Sequence, residues 1–214
     1  LNIDESLSYV MDSAGQQSLR CPSCSADESG LKLNRGITIP AGGEADFLID
    51  IDLGKSLNKN EQTGDYKLRP TLRLVDLTQT GMISGRVAPE LIPATATDED
   101  TGCRVYVYAG HDMVPDDYHE TDTVLTSTDV IYDADAGEYG YTLAYLRSDP
   151  TLESTPYTVA MTCDADDPEV DQDNDPASQA ADRVIFTDGT DEGTGQNAGV
   201  ITDGITMVDF PAQP

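Results

Sequence analysis

Apolar residues in this chain recur at every second position, and that spacing limits the folds open to it more than any other feature. Phe47, Ile49, Ile51 and Leu53 alternate with Asp46, Leu48, Asp50 and Asp52, as in a strand with one buried face and one largely wet, acidic face. No window of a dozen residues carries helical spacing. The same reading predicts strands over 31–33, 37–39, 45–53, 66–76, 82–87, 103–109, 123–132, 138–146, 157–163, 183–187, 199–202 and 205–210. Pro70 cannot donate to a ladder, so it marks an edge or a bulge within 66–76.

Turn clusters separate these runs: Ala41-Gly42-Gly43, Asp135-Ala136-Gly137, Thr187-Asp188-Gly189 and Thr202-Asp203-Gly204. Asp-Gly supplies the positive φ that tight turns need, so Asp203-Gly204 is expected to close a last hairpin. Short strands with turns and no helices between them predict an all-β fold of antiparallel Greek-key sandwiches. Two modules are expected. Residues 81–214 read as a seven-stranded sandwich. Residues 1–80 give only three or four strands after a polar, Ser-rich opening, too few to bury a full core alone.

Charge supports a division. Residues 1–89 hold 12 acids and 9 bases, whereas 90–214 hold 28 acids and only Arg104, Arg147 and Arg183. The step falls near 81–93, where a short apolar run meets two prolines. With a formal charge of -28, the chain repels phosphate backbones and anionic head groups, which argues against nucleic-acid partners and basic-patch membrane attachment. No stretch nears the roughly 18 apolar residues of a membrane span, and Leu1 opens in polar sequence without a charged-then-apolar leader. The expectation is a soluble, processed chain with no transmembrane segment.

Several motifs follow one another in a fixed order: Gly30-Leu31-Lys32-Leu33, then 37–43, then 46–57 from Asp46 to Leu57, then 64–75 with Tyr66-Lys67-Leu68-Arg69-Pro70, then Gly81-Met82-Ile83-Ser84-Gly85-Arg86-Val87. That succession, over about residues 1–88, resembles the closing half of the domain-of-unknown-function family numbered 4382, found in predicted bacterial and archaeal surface lipoproteins. The remainder, with Val105-Tyr106-Val107-Tyr108, Pro115-Asp116-Asp117, 139–146 and 157–163, resembles the transthyretin-like or carboxypeptidase-regulatory-like sandwich that often follows it. The resemblance implies a fold and a surface location, and no activity. Family members normally carry a lipid-attachment signal and a first set of strands. If the natural protein is processed to start at Leu1 without them, the first module would expose an unpaired sheet edge and an apolar groove, a template for an incoming strand.

Four cysteines suit an oxidising, extracytoplasmic compartment. Cys103 opens one predicted strand and Cys163 closes another, so a disulfide between them would join strands of one sandwich. Cys21 and Cys24 then pair locally, or all four converge on one zinc. Ser25 stands where a haem-attachment motif needs histidine, and no strand-to-helix context supports a thioredoxin-like role.

The densest carboxylate run is Asp164, Asp166, Asp167, Glu169, Asp171, Asp173 and Asp175. Oxygen ligands at alternate loop positions suit calcium, and 171–175 match the start of an EF-hand loop, with Asp182 at its twelfth place. Pro176 then occupies the sixth place, where glycine is needed. A calcium loop of another kind and a solvated acidic loop both remain open. Asp133-Ala134-Asp135-Ala136-Gly137 reads as a plain hairpin turn. His111 and His119 share one acidic loop, with a transition-metal pair as the minority reading.

There is no nucleophile elbow, phosphate-binding glycine loop or basic clamp. Tyr106, Tyr108, Tyr132, Tyr139, Tyr141 and Tyr145 read as cross-strand packing pairs, with a sugar-stacking face as the alternative. The expected function is therefore a non-enzymatic, extracytoplasmic structural or adhesive surface subunit, self-associating or binding other surface proteins, and assembling into filaments by strand exchange at its incomplete first sheet. The alternative is a calcium-dependent module that binds polysaccharide or protein.

Overall fold

The computed structural model describes residues 4–12, 15–22, 24, 46–60, 63–97, 101–115, 124–163, 187–189 and 195–211. The protein is an all-β molecule of sandwich modules. Apart from strands, the described residues form one α-helical turn, α1 (Leu53–Ser56), and 3₁₀ turns at Leu77–Gln79 and Pro89–Leu91. The chain divides into two units, Leu1–Val75 and Asp76–Pro214.

The first unit contains β1 (Tyr9–Asp12), β2 (Gly15–Arg20), β3 (Phe47–Asp52), β4 (Leu57–Lys59), β5 (Tyr66–Leu68) and β6 (Thr71–Asp76), the last ending just past the unit boundary. One sheet has the order β1-β2-β5-β4, and β3 pairs with β6 in another. Its core is small: Cys21, Cys24 and Leu68, with Leu19 and Leu57 packed alongside. The hairpin β1–β2 lies in the polar, Ser-rich opening where no strand was expected, and β4 was also unforeseen. Arg69-Pro70 splits the expected strand 66–76 into β5 and β6, which join different sheets. Proline removes the donor that a continuous ladder would need there.

The alternation in β3 is not realised as expected. Ile49 and Leu53 are exposed, while the Asp50 carboxylate accepts from the Arg73 guanidinium at 2.9 Å in a half-buried ion pair. Phe47 and Ile51 on the same face are half-buried, and the charge pair ties β3 to β6. The expected strands 31–33 and 37–39, and the turn Ala41-Gly42-Gly43, lie outside the described residues, as does 183–186 of the expected strand 183–187.

The second unit has eight described strands: β7 (Thr80–Val87), β8 (Arg104–Ala109), β9 (Val124–Asp129), β10 (Ile131–Asp133), β11 (Glu138–Arg147), β12 (Thr155–Thr162), β13 (Gln196–Val200) and β14 (Ile205–Met207). They form two four-stranded sheets, β10-β11-β7-β14 and β13-β12-β8-β9. Ile83, Val87, Tyr141, Leu143 and Leu146 from one sheet meet Val105, Val107, Tyr157, Val159, Met161, Ala198 and Val200 from the other, with Phe210 joining them. Alternate side chains of each inner face interdigitate, which is how a sandwich buries its core.

Two places differ from the seven-strand expectation. The expected strand 123–132 changes sheet at Val130, which is buried at the corner. Its N–H donates to the Cys103 carbonyl at 2.9 Å and its own carbonyl accepts from the Thr101 hydroxyl at 2.6 Å. Both polar groups of the buried corner are thus satisfied. The Asp203-Gly204 turn does not close a hairpin. It carries the chain from β13 in one sheet to β14 in the other, where β14 runs parallel to β7. Asp203 adopts the left-handed φ of 55° the turn requires, and its N–H donates to the Thr80 carbonyl. Together with the parallel pairing of β2 and β5, this makes two otherwise antiparallel sheets mixed.

The hairpin turn at Asp133–Gly137 forms as expected: Asp133 Oδ1 accepts from the N–H groups of Asp135 and Ala136, and Gly137 takes a φ of 71°. Gly85 is required by proximity, since a Cβ there would collide with the Val208 carbonyl. That carbonyl accepts from the Tyr141 hydroxyl at 2.7 Å. Burial holds the Tyr141 phenol well above its ordinary range, with nearby Asp209 adding to the rise.

Candidate functional site

Among the described residues, each unit has sheets that end in a strand paired on one side only. In the first unit β1 is terminal in its sheet. Among the described residues it pairs with β2 only, with Tyr9 opposite Ser18 and Met11 opposite Gln16. Leu7, Tyr9 and Met11 are 78%, 54% and 66% exposed. Successive strand residues face opposite sides, so Tyr9 and Met11 share the outer face with exposed Gln16, Ser18 and Arg20 of β2, Lys67 of β5 and Asn58 of β4. Arg20 and Lys67 are paired across the parallel ladder, which puts two cations side by side. Asp65 stands beside them: its carboxylate accepts from the Ser18 hydroxyl, which with Thr63 and nearby Arg20 lowers its pKa.

The inner end of β1 is held by a polar knot. The Asp12 carboxylate accepts from Gln17 Nε2 at 3.2 Å and from the Tyr66 hydroxyl at 3.2 Å, and pairs with Lys59 Nζ at 3.2 Å. Lys59 also lies 5.7 Å from the centre of the Tyr66 ring, within cation–π range. Three partners from three strands converge on one side chain, fixing β1 against β2, β4 and β5. Sequence reasoning missed Asp12 because its partners are distant in the chain.

In the second unit β14 is the terminal strand of its sheet. Gly204 O accepts from Met82 N–H and Val208 N–H donates to Ser84 O, so alternation leaves the backbone groups of Ile205 and Met207 turned away from β7. Their side chains are 62% and 61% exposed on one face. Asp203 and Asp209 flank the strand, both exposed.

The expected disulfides form: Cys103 with Cys163, and Cys21 with Cys24. No cysteine is free, which overturns the alternative of a single four-cysteine zinc site. Arg104 opposes Thr162 in the β8–β12 ladder, so Cys103 and Cys163 sit just beyond its last pair and staple the two strands. The acidic run Asp164, Asp166, Asp167, Glu169, Asp171, Asp173 and Asp175 lies outside the described residues, as does His119. Among the described residues no group of three or more His, Cys, Asp or Glu comes together to hold a metal.

His111 Nε2 lies 3.1 Å from the Ala198 carbonyl. It belongs to a loop strapped over the outer face of β12 and β8. There Asp112 and Asn197 exchange hydrogen bonds of 2.8 and 2.7 Å, Thr158 Oγ1 donates to Gly110 O, and Met113 packs on buried Tyr106, Tyr108 and Ala160. The tyrosines form no common platform. Tyr132 and Tyr139 are a cross-strand pair with ring centres 5.0 Å apart, Tyr106, Tyr108 and Tyr141 are buried, and Tyr145 is exposed at a bulge with a φ of 56°. Among the described residues no helix is long and apolar enough to cross a membrane.

No curated protein and no solved structure matches the chain. Residues 4–70, just under a third of its length, match the family described as a domain of unknown function, DUF4382.

Proposed function

We propose that this chain is a non-enzymatic, extracytoplasmic structural or adhesive surface protein that assembles by strand pairing at its first sheet, as a filament subunit. The observation that carries this reading is the β1 edge: a terminal strand with Tyr9 and Met11 exposed, and exposed Leu7 in the turn before it. Unpaired edges bearing apolar side chains recruit further strands; β1 is short, and its one inward charge, Asp12, is neutralised by Lys59. Two disulfides are in keeping with an oxidising compartment. In this reading the first unit is the closing half of the DUF4382 domain, and the second is a transthyretin-like sandwich. Electron microscopy and sedimentation of the purified chain across a concentration series test it. Growth beyond dimers is expected, and a monomer at every concentration would overturn it.

The second reading is a calcium-dependent module for polysaccharide or protein, favoured by the alternating carboxylates of 164–175. Melting with calcium and with chelator tests that reading, because an ion bound to the native state raises the midpoint by mass action.

A further inference from the structure

We infer that the partner of the β1 edge is the β14 edge of a second copy of this chain, which makes the contact head-to-tail. The inference rests on the assembly reading above and names the surface that reading leaves open. Sheets end at β1 and β4 in the first unit's larger sheet, and at β10, β14, β13 and β9 in the second unit. Of these strands, only β1 and β14 present two large apolar side chains, more than half exposed, on one face: Tyr9 with Met11, and Ile205 with Met207. β10 offers Ile131 alone, while β13 and β4 expose Asn197 and the pair Asn58 and Lys59. Set edge to edge, β1 and β14 would bring these two apolar pairs together across a new ladder, the contact that stabilises neighbouring strands.

Charge selects the heterologous pairing. Residues 76–214 hold 29 acids against 4 bases, and two of those bases, Arg86 and Arg104, are already paired with Glu138 and Asp129. Joining β14 to β14 would set two such units together, with Asp203 and Asp209 at each end of the strand. Joining β1 to β1 would bring Arg20 and Lys67 of one copy toward their equals. The mixed pairing sets Arg20 and Lys67, with the single carboxylate of Asp65 beside them, near an acidic rim. Each copy in a pair would keep one free edge, so the contact is heterologous and adds further copies head to tail.

A complementation experiment tests this. Tyr9→Glu with Met11→Glu blocks the first edge, and Ile205→Glu with Met207→Glu blocks the second. All four side chains are exposed, so each variant should keep the melting profile of wild type at dilutions where it is monomeric. By sedimentation, wild type should grow with concentration and each variant alone should stay monomeric. An equimolar mixture should double in weight-average mass and stop at a heterodimer. If either variant dimerises alone, or the mixture stays monomeric while wild type assembles, the β1–β14 assignment is overturned and assembly by another contact stands. A monomeric wild type would overturn the assembly reading itself.

Discussion

The two units solve the problem of stability by different means. In the second, two sheets close on a continuous core, and all the large side chains buried to under 2% exposure among the described residues belong to it, from Ile83 to Phe210. In the first, the described core is a disulfide, Leu68 and two flanking leucines, and a polar knot at Asp12 does what hydrophobic packing does elsewhere. A sandwich with a full core can leave its edge strand short and flanked by acids. A unit with a thin core is left with apolar residues such as Tyr9, Met11 and Ile49 in contact with water, and those are what an added strand would cover. The difference suggests that the first unit is where association contributes most to stability.

Five perturbations sharpen that contrast, and the largest effects belong to the second unit. Phe210, buried against the Tyr141 ring 5.6 Å away, should cost about 3–5 kcal/mol when changed to Ala. Calorimetry should show the loss in the second unit's transition alone. Replacing Cys103 and Cys163 together by Ala opens a crosslink spanning 60 residues and should cost about 4 kcal/mol on the chain-entropy account. The matching change at Cys21 and Cys24, separated by 3, should cost the first unit about 2 kcal/mol by the same account. Equal losses in the two units would break the comparison.

Asp12→Ala should destabilise the first unit by about 2 kcal/mol, because Lys59 and the Tyr66 hydroxyl lose their shared acceptor in a half-buried place. Denaturant unfolding should show the loss, with Asp12→Asn recovering part of it through the retained acceptor. The smallest effect is one of pH. The Tyr141 phenol is held in its neutral form by burial, so its folded pKa lies above the unfolded value of about 10. Its contribution is complete below that pH and is lost progressively as pH rises above it, when the unfolded chain ionises first. Melting of the second unit should therefore fall between pH 10 and 11, and Tyr141→Phe should flatten that limb while lowering stability at neutral pH.

The sequence was most legible where burial is complete. β7, β8, β11 and β12 fall within a few residues of their expected bounds, because two packed sheets impose period-two burial on them. The Cys103–Cys163 pairing was legible for the same reason, since each cysteine sits at the end of a well-marked strand. In the first unit the same rule failed in both directions. β3 carries a clean alternation yet leaves Ile49 exposed, because alternation only states what a strand could bury. β2 carries Gln16, Ser18 and Arg20 outward with only Leu19 apolar inward, and β1 has Tyr9 and Met11 outward with Val10 and Asp12 inward, so their hairpin left no alternation of apolar and polar residues. The sheet changes at Val130 and Asp203 were not legible either, since they depend on which carbonyls lie near: Cys103 and Thr80, both remote in the chain. Of the candidate site, the sequence suggested an open edge in the first module, but neither Asp12 nor the exposed pair Ile205 and Met207.

The central claim is that the first unit's β1 edge is marginal alone and is completed by another copy. Hydrogen exchange of the β1 amides, followed from dilute monomer to concentrations where the chain associates, tests it most directly. Dilute, Val10 and Met11 should exchange far faster than Val107 and Val159 in the second unit's central strands, and association should slow them by at least about tenfold, the factor expected for roughly 1.4 kcal/mol of added local stability. Protection of β1 that already equals that of Val159 in the monomer, or that does not change on association, would contradict the account.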